Sequence, residues 1–204
     1  MATLVMLAAL AGCGQPMDKT YVFHPDDSPV KVDTPELREA KAAAGIENCP
    51  QSDPSAVSRS DGLPEVTLPC LGGGRAVDLA GLSGTPLVIN VWATYCGACR
   101  DEAPLFQQAH QLARGDVSII GIDWQDTRPG AALSFAGDLG LTYPQLADPQ
   151  AATRAPLGVT GLPMTLFVDE SGRVAYVRSG PLHSLAELTS LIDTALGVHL
   201  PDAS

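Results

Sequence analysis

The sequence predicts an α/β domain: a mixed central sheet flanked by helices, with a β-hairpin extension on its N-terminal side. Three observations carry this. The apolar run Pro86–Ala93 reads as a buried central strand, and Val117–Trp124 as a second buried strand. Helical patterns alternate with them. A late hairpin signal then precedes one last amphipathic helix, which implies a mixed sheet with helices on both faces.

The elements follow in order. Ala2–Ala11 is almost wholly apolar and gives way to Gly12 and Cys13, after which polarity rises at once. Ten residues are too few to cross a bilayer but match the apolar region of a signal peptide. Leu10-Ala11-Gly12-Cys13 resembles a bacterial lipobox, which implies acylation of Cys13 and a lipid anchor to the membrane. No Lys or Arg precedes Cys13, where signal peptides normally carry positive charge. Residues 1–13 are therefore expected to be an export signal and 14–61 a Pro-punctuated tether. One short helix is expected in it, over Thr34–Ala44: Thr34 can cap, Pro35 suits the first helical position, and Gly45 ends it.

The domain is expected over 62–204. Glu65–Pro69 and Arg75–Leu79 flank Gly72-Gly73-Gly74 and suggest a hairpin. After the first buried run, Gly97–Arg114 reads as a helix. Helical spacing returns at Pro129–Leu139, and a short helix is expected at Ala147–Ala155. Thr165–Val168 and Val174–Arg178 surround Asp169-Glu170-Ser171-Gly172, an antiparallel hairpin. Leu182–Leu196 closes the fold, with Leu185, Leu188, Leu191 and Ile192 directed inward.

The chain has 204 residues, 45% of them hydrophobic, enough for one domain with a substantial core. Its formal net charge of −11 argues against nucleic acid as a partner. Lys19, Lys31 and Lys41 are the only lysines, so none is expected inside the domain. The five cysteines are Cys13, Cys49, Cys70, Cys96 and Cys99, a number that suits an oxidising compartment.

Chemistry concentrates at Trp92-Ala93-Thr94-Tyr95-Cys96-Gly97-Ala98-Cys99-Arg100. Two thiols three positions apart open a helix that follows a buried strand. Unpaired N–H groups and the helix dipole stabilise an anion there, so a thiolate has a lowered pKa. Cys96 would attack a substrate disulfide, and Cys99, one turn deeper, would resolve the mixed disulfide. Arg100 can add cationic stabilisation. Zinc sites share the Cys-x-x-Cys spacing, and Cys49 and Cys70 could complete one. The buried strand and aromatic lead-in favour redox chemistry, with no metal and no cofactor beyond the Cys96–Cys99 disulfide itself.

The element order and these motifs resemble the thioredoxin fold, specifically its TlpA/ResA-like branch of exported proteins, over about residues 62–198. The family usually places Trp before the first cysteine and Pro before the second, where this chain has Tyr95 and Ala98. The resemblance implies that Pro163, in Gly161-Leu162-Pro163-Met164, is cis and packs against the two cysteines. Leu162 would then offer its backbone to an extended client segment. A substrate surface of Trp92, Tyr95, Gly97, Ala98, Leu162 and Pro163 follows. The pattern Glu102-Ala103-Pro104 is also met, and a partly buried Glu102 could relay a proton for the resolving thiol. The alternative is a solvated Glu that balances the helix dipole. Thioredoxin uses an Asp two residues before its Trp; this chain has Asn90.

Cys49 and Cys70 bracket the approach to the domain. A bond between them would add about 3 kcal/mol through chain entropy. They read as a structural disulfide. The rival reading is a second redox pair, against which stands the lack of any helix start or activating group beside either residue. The histidines show no ligand spacing. The resemblance implies a monomeric, membrane-tethered thiol–disulfide oxidoreductase outside the cytoplasm. Its expected partners are an exported client such as apocytochrome c and a membrane thiol electron donor. An oxidant of folding proteins and a copper- or zinc-delivery module are the competing functions.

Overall fold

A computed structural model describes residues 29–201. The expected export segment with Cys13, and the first part of the expected tether, lie outside the described residues. The first helix, α1 (Pro35–Ala43), is capped by the Thr34 hydroxyl oxygen, which accepts from the Leu37 N–H at 3.3 Å. Such a cap contributes about 1 kcal/mol. Gly45, at φ +70°, takes the left-handed turn that ends the helix.

α1 does not sit in a free tether. Val32 and Ile46, on either side of it, are buried in the main core, and α1 packs on the later helix α3 (Pro129–Asp138). The folded unit begins near residue 30 rather than 62, because these apolar side chains dock the segment. Lys41 is carried in with it and is buried, so the domain does contain a lysine.

The strands β1 (Thr67–Leu68) and β2 (Val77–Asp78) pair antiparallel, in a shorter hairpin than the sequence suggests. The chain between them leaves the hairpin to join the main sheet. The Leu71 N–H donates to the Gln145 carbonyl, and the Ala147 N–H to the Pro69 carbonyl, each at 2.9 Å. Then follow β3 (Leu87–Trp92), α2 (Gly97–Ala113), β4 (Ser118–Trp124), α3, β5 (Gln145–Asp148), β6 (Met164–Val168), β7 (Val174–Ser179) and α4 (Leu185–Leu196). The main sheet runs β5-β4-β3-β6-β7. β3, β4 and β5 are parallel; β6 and β7 run antiparallel to their neighbours. This is the thioredoxin-like architecture, a mixed central sheet flanked by helices.

The two faces are covered differently. Val88, Trp92, Ile119 and Phe167 point to a core layer that also holds Phe106 and Ala109 of α2, Leu133 and Phe135 of α3, and Leu188 and Ile192 of α4. Ile89, Val91, Ile120, Ile122 and Leu166 point the other way, against Leu68, Val77 and Leu79 of the hairpin region and Val159. Helices on both faces were expected. The long helices α2, α3 and α4 lie in one layer, with α1 packed on α3. α2 and α3 share it because β3-α2-β4 and β4-α3-β5 are successive crossovers of one hand in one direction. Among the described residues the other face carries only the short 3₁₀ turn Leu79–Gly81.

The expected helix at Ala147–Ala155 is absent. Its first two residues belong to β5, and the rest is a series of turns. Asp148 causes the break: its carboxylate accepts from the N–H groups of Ala152 (2.7 Å) and Thr153 (3.0 Å) and from the Thr153 hydroxyl (2.5 Å). In α4, Leu188 and Ile192 are buried, while Leu185 and Leu191 pack at the margin of the core. Among the described residues no helix is long and apolar enough to cross a membrane.

Candidate active site

β3 delivers the chain to the sheet's end, and α2 begins at once. Cys96 is the N-cap of α2, and its sulfur accepts from the Cys99 N–H at 3.1 Å. The two cysteines are joined as a disulfide. Cys96 is half-buried, whereas Cys99 is fully buried beneath it. A helix N-terminus stabilises negative charge at the capping sulfur, so the outer sulfur suits a thiolate.

The loop before Cys96 is fixed by one buried carboxylate. Asp126 accepts from the Thr94 N–H at 3.3 Å and, in a very short contact, from the Thr94 hydroxyl. It also accepts from the Arg128 N–H at 3.0 Å, and the Arg128 guanidinium returns to the Thr94 oxygen at 2.8 Å. Nothing in the sequence marks this clasp.

Glu102 lies on the first turns of α2 with 1% exposure, so it is not a solvated dipole-balancing group. Its Oε1 accepts from Asn90 Nδ2 at 2.8 Å, and its Oε2 from the Leu182 N–H at 2.9 Å. Burial pushes its pKa up to about 7, even though both hydrogen bonds pull it down. A carboxyl group that titrates near neutrality can take up and release a proton in a working cycle.

Beside Cys96 runs an open groove of about 550 Å³, lined by Tyr95, Gly97, Ala98 and Leu162, and by Trp124 and Arg154. The Leu162–Pro163 bond is cis, with Pro163 buried at the start of β6. Tyr95 is 58% exposed, and its hydroxyl reaches the Trp124 carbonyl at 3.4 Å. The Arg154 guanidinium lies 4.6 Å over the Trp124 ring and donates to Gln125 Oε1 at 2.7 Å.

Trp92 does not belong to this surface, and the expectation that it binds substrate is corrected. It is 2% exposed, points into the helical layer, and stacks on Phe135 with ring centroids 4.6 Å apart. Its indole N–H donates to Gln145 Oε1 at 2.9 Å. That amide fills the space over Gly121, where a Cβ would lie 1.8 Å from Gln145 Oε1. Arg100 sits 4.5 Å over Phe135, so its charge is spent on the ring rather than aimed freely at a sulfur. Trp124, on the opposite face of the sheet, takes the place in the groove.

The second pair, Cys49 and Cys70, is also joined as a disulfide. Among the described residues no group of three His, Cys, Asp or Glu side chains is arranged to hold a metal ion. The two cysteine pairs do not meet in one site.

Comparison with known proteins adds a family. The redoxin family model matches residues 58–192. The chain belongs to the redoxin family. This redoxin is 34% identical over 138 residues to the thiol:disulfide interchange protein HelX of Rhodobacter capsulatus, covering 67% of the chain and 76% of HelX. It is 38% identical over 101 residues to DsbE of Pasteurella multocida, covering 49% of the chain but only 54% of that relative. Among solved structures, MTB DsbF superposes with a TM-score of 0.59 at 29% identity, over 65% of this chain and 98% of that one. The chain is a thiol–disulfide oxidoreductase of thioredoxin fold.

Proposed function

We propose that this redoxin is a membrane-anchored reductant of exported client proteins, of the TlpA/ResA-like kind, with apocytochrome c cysteines as a first client class. The observation that carries the reading is the arrangement of one half-exposed sulfur in a groove, one fully buried sulfur beneath it, and a buried carboxyl that titrates near 7. In the reduced protein, the Cys96 thiolate attacks a client disulfide and forms a mixed disulfide, releasing one client thiolate. Glu102 accepts the Cys99 proton. The Cys99 thiolate then attacks the Cys96 sulfur, closing the Cys96–Cys99 bond and releasing the second client sulfur, which is protonated in turn. The client gains two electrons, and a membrane dithiol donor restores the pair. Leu162 offers its backbone to the client segment. Similarity to HelX, a thiol:disulfide interchange protein, supports disulfide exchange with a client, and the resemblance of Leu10–Cys13 to a lipobox supports the anchor and an extracytoplasmic location.

A second reading, an oxidant or isomerase, draws on the likeness to a secreted thiol-disulfide isomerase from Corynebacterium glutamicum (25% identity, TM-score 0.58). The reduction potential of Cys96–Cys99 separates the two. A value near thioredoxin's, about −270 mV, is expected for a reductant; one near DsbA's, about −120 mV, makes the protein an oxidant. Tight stoichiometric copper or zinc binding by the reduced protein would instead favour a metal-delivery module.

A further inference from the structure

The Cys49–Cys70 bond lies in an environment that treats its two sulfurs unequally. Cys70 is 1% exposed, and Lys41 Nζ lies 3.1 Å from its sulfur. Lys41 as a residue is 5% exposed, and its ammonium donates to the Gly73 carbonyl at 2.9 Å. Among the described residues Lys41 forms no ion pair; the nearby Asp33 is bonded to Arg38 at 2.5 Å. Burial lowers the Lys41 pKa and the nearby Asp33 carboxylate opposes that shift, but the ammonium's direct contacts are a carbonyl and a disulfide sulfur.

The Gly72-Gly73-Gly74 turn packs closely on the Lys41 side chain and its neighbours Asp33 and Arg38. All three glycines have positive φ (72°, 88° and 119°). A Cβ at Gly72 would lie 2.7 Å from Lys41 Cβ. Cys49 is placed oppositely. It is half-buried, next in sequence to the exposed Asn48, and its sulfur faces the Gln145 carbonyl oxygen at 3.4 Å. A carbonyl oxygen favours a protonated thiol, whereas an ammonium favours a thiolate.

We propose that Cys49–Cys70 is a second exchange site with a fixed direction of attack: an incoming dithiol attacks Cys49, and Cys70 leaves as a thiolate paired with Lys41. In the first step the attacking thiolate bonds to the Cys49 sulfur, the Cys49–Cys70 bond breaks, and its electron pair stays on Cys70. In the second, the dithiol's other thiolate closes on its own first sulfur and releases Cys49, which takes a proton beside the Gln145 carbonyl. The dithiol is oxidised by two electrons and the pair is reduced by two. This goes beyond exchange at Cys96 and Cys99 and does not require it.

The test uses the full chain with Cys13→Ser, Cys96→Ser and Cys99→Ser, so that only the second pair can react. The folded protein is treated with glutathione or dithiothreitol, quenched by alkylation and mapped by mass spectrometry. The glutathione adduct is expected on Cys49, with Cys70 alkylated. Lys41→Met should slow dithiothreitol reduction about threefold or more, and Lys41→Arg should keep most of the rate. A pair that stays oxidised under excess dithiothreitol would overturn the proposal. So would an adduct on Cys70, or an unchanged rate in a folded Lys41→Met protein. If Lys41→Met fails to fold, the position of the adduct in the Lys41 protein still decides.

Discussion

Asn90 Nδ2 donates to Glu102 Oε1 at 2.8 Å, which ties the middle of the central strand to the helix that carries both active-site sulfurs. This bond favours the charged carboxylate and so opposes the burial that pushes Glu102 up to about 7. Asn90→Ala is expected to raise the Glu102 pKa further and move the pH–rate profile of disulfide exchange to higher pH. Glu102→Gln should slow the resolving step about tenfold or more and flatten that profile near neutrality. Stopped-flow exchange between pH 5 and 9 measures both; a profile untouched by Glu102→Gln would refute the proton role.

The same carboxyl makes stability depend on pH. Its ordinary pKa is 4.5, and the folded protein holds it at about 7. Between those values the folded state binds more protons than the unfolded one, so stability falls as pH rises through this window. The full loss is about 3 kcal/mol. Urea melts at pH 5 and pH 8 should show this fall in the wild type, and Glu102→Gln should lack it.

Cys99→Ser should trap a client on Cys96 as a mixed disulfide visible on a non-reducing gel. Cys96→Ser should form no such adduct and should lose reductase activity in an insulin turbidity assay. Adducts in Cys96→Ser that involve Cys99 would reverse the assigned order.

Asp126 is 4% exposed and gathers the Thr94 amide, the Thr94 hydroxyl and the Arg128 amide. Asp126→Ala leaves those donors without their acceptor, at a cost of about 1–3 kcal/mol. The loop before Cys96 should loosen, and kcat/KM for exchange should fall while Cys96 remains the nucleophile. Thermal melts and steady-state kinetics on the same preparation check both.

Arg154 places a cation on the groove wall of an otherwise acidic chain with net charge −11. Client peptides with a carboxylate beside the reacting cysteine should show a lower KM than neutral ones. Arg154→Ala should erase that preference with little change in kcat for the neutral peptide.

Much of the fold is legible because its central strands are mostly apolar, interrupted by few polar residues such as Asn90 and Asp123, and because caps mark a helix such as α1, with Thr34 before it and Gly45 after it. β5 was not legible: four residues with only Leu146 and Ala147 apolar give no period, and the Asp148 side chain ends them in a turn. That Trp124 rather than Trp92 lines the groove was not legible, for a related cause. Both end strands buried on two faces, so the sequence holds no alternation to say which face each ring takes. Cys96, Cys99, Glu102 and Pro163 fall within two short segments that carry their own motifs. Lys41 and Arg154 reach their positions through packing and turns between distant segments, which leave no local pattern.

Gly121 shows how far the active site's requirements extend into the sheet. The hydrogen atom it carries in place of a side chain leaves room for Gln145, and Gln145 holds the Trp92 indole. A single methyl group at position 121 would compete for the same volume. Among relatives that keep this tryptophan–glutamine pair, the midpoint of β4 is therefore barred to alanine, the smallest chiral residue. A change there should surface as altered reactivity several residues away, at a disulfide that Gly121 never touches.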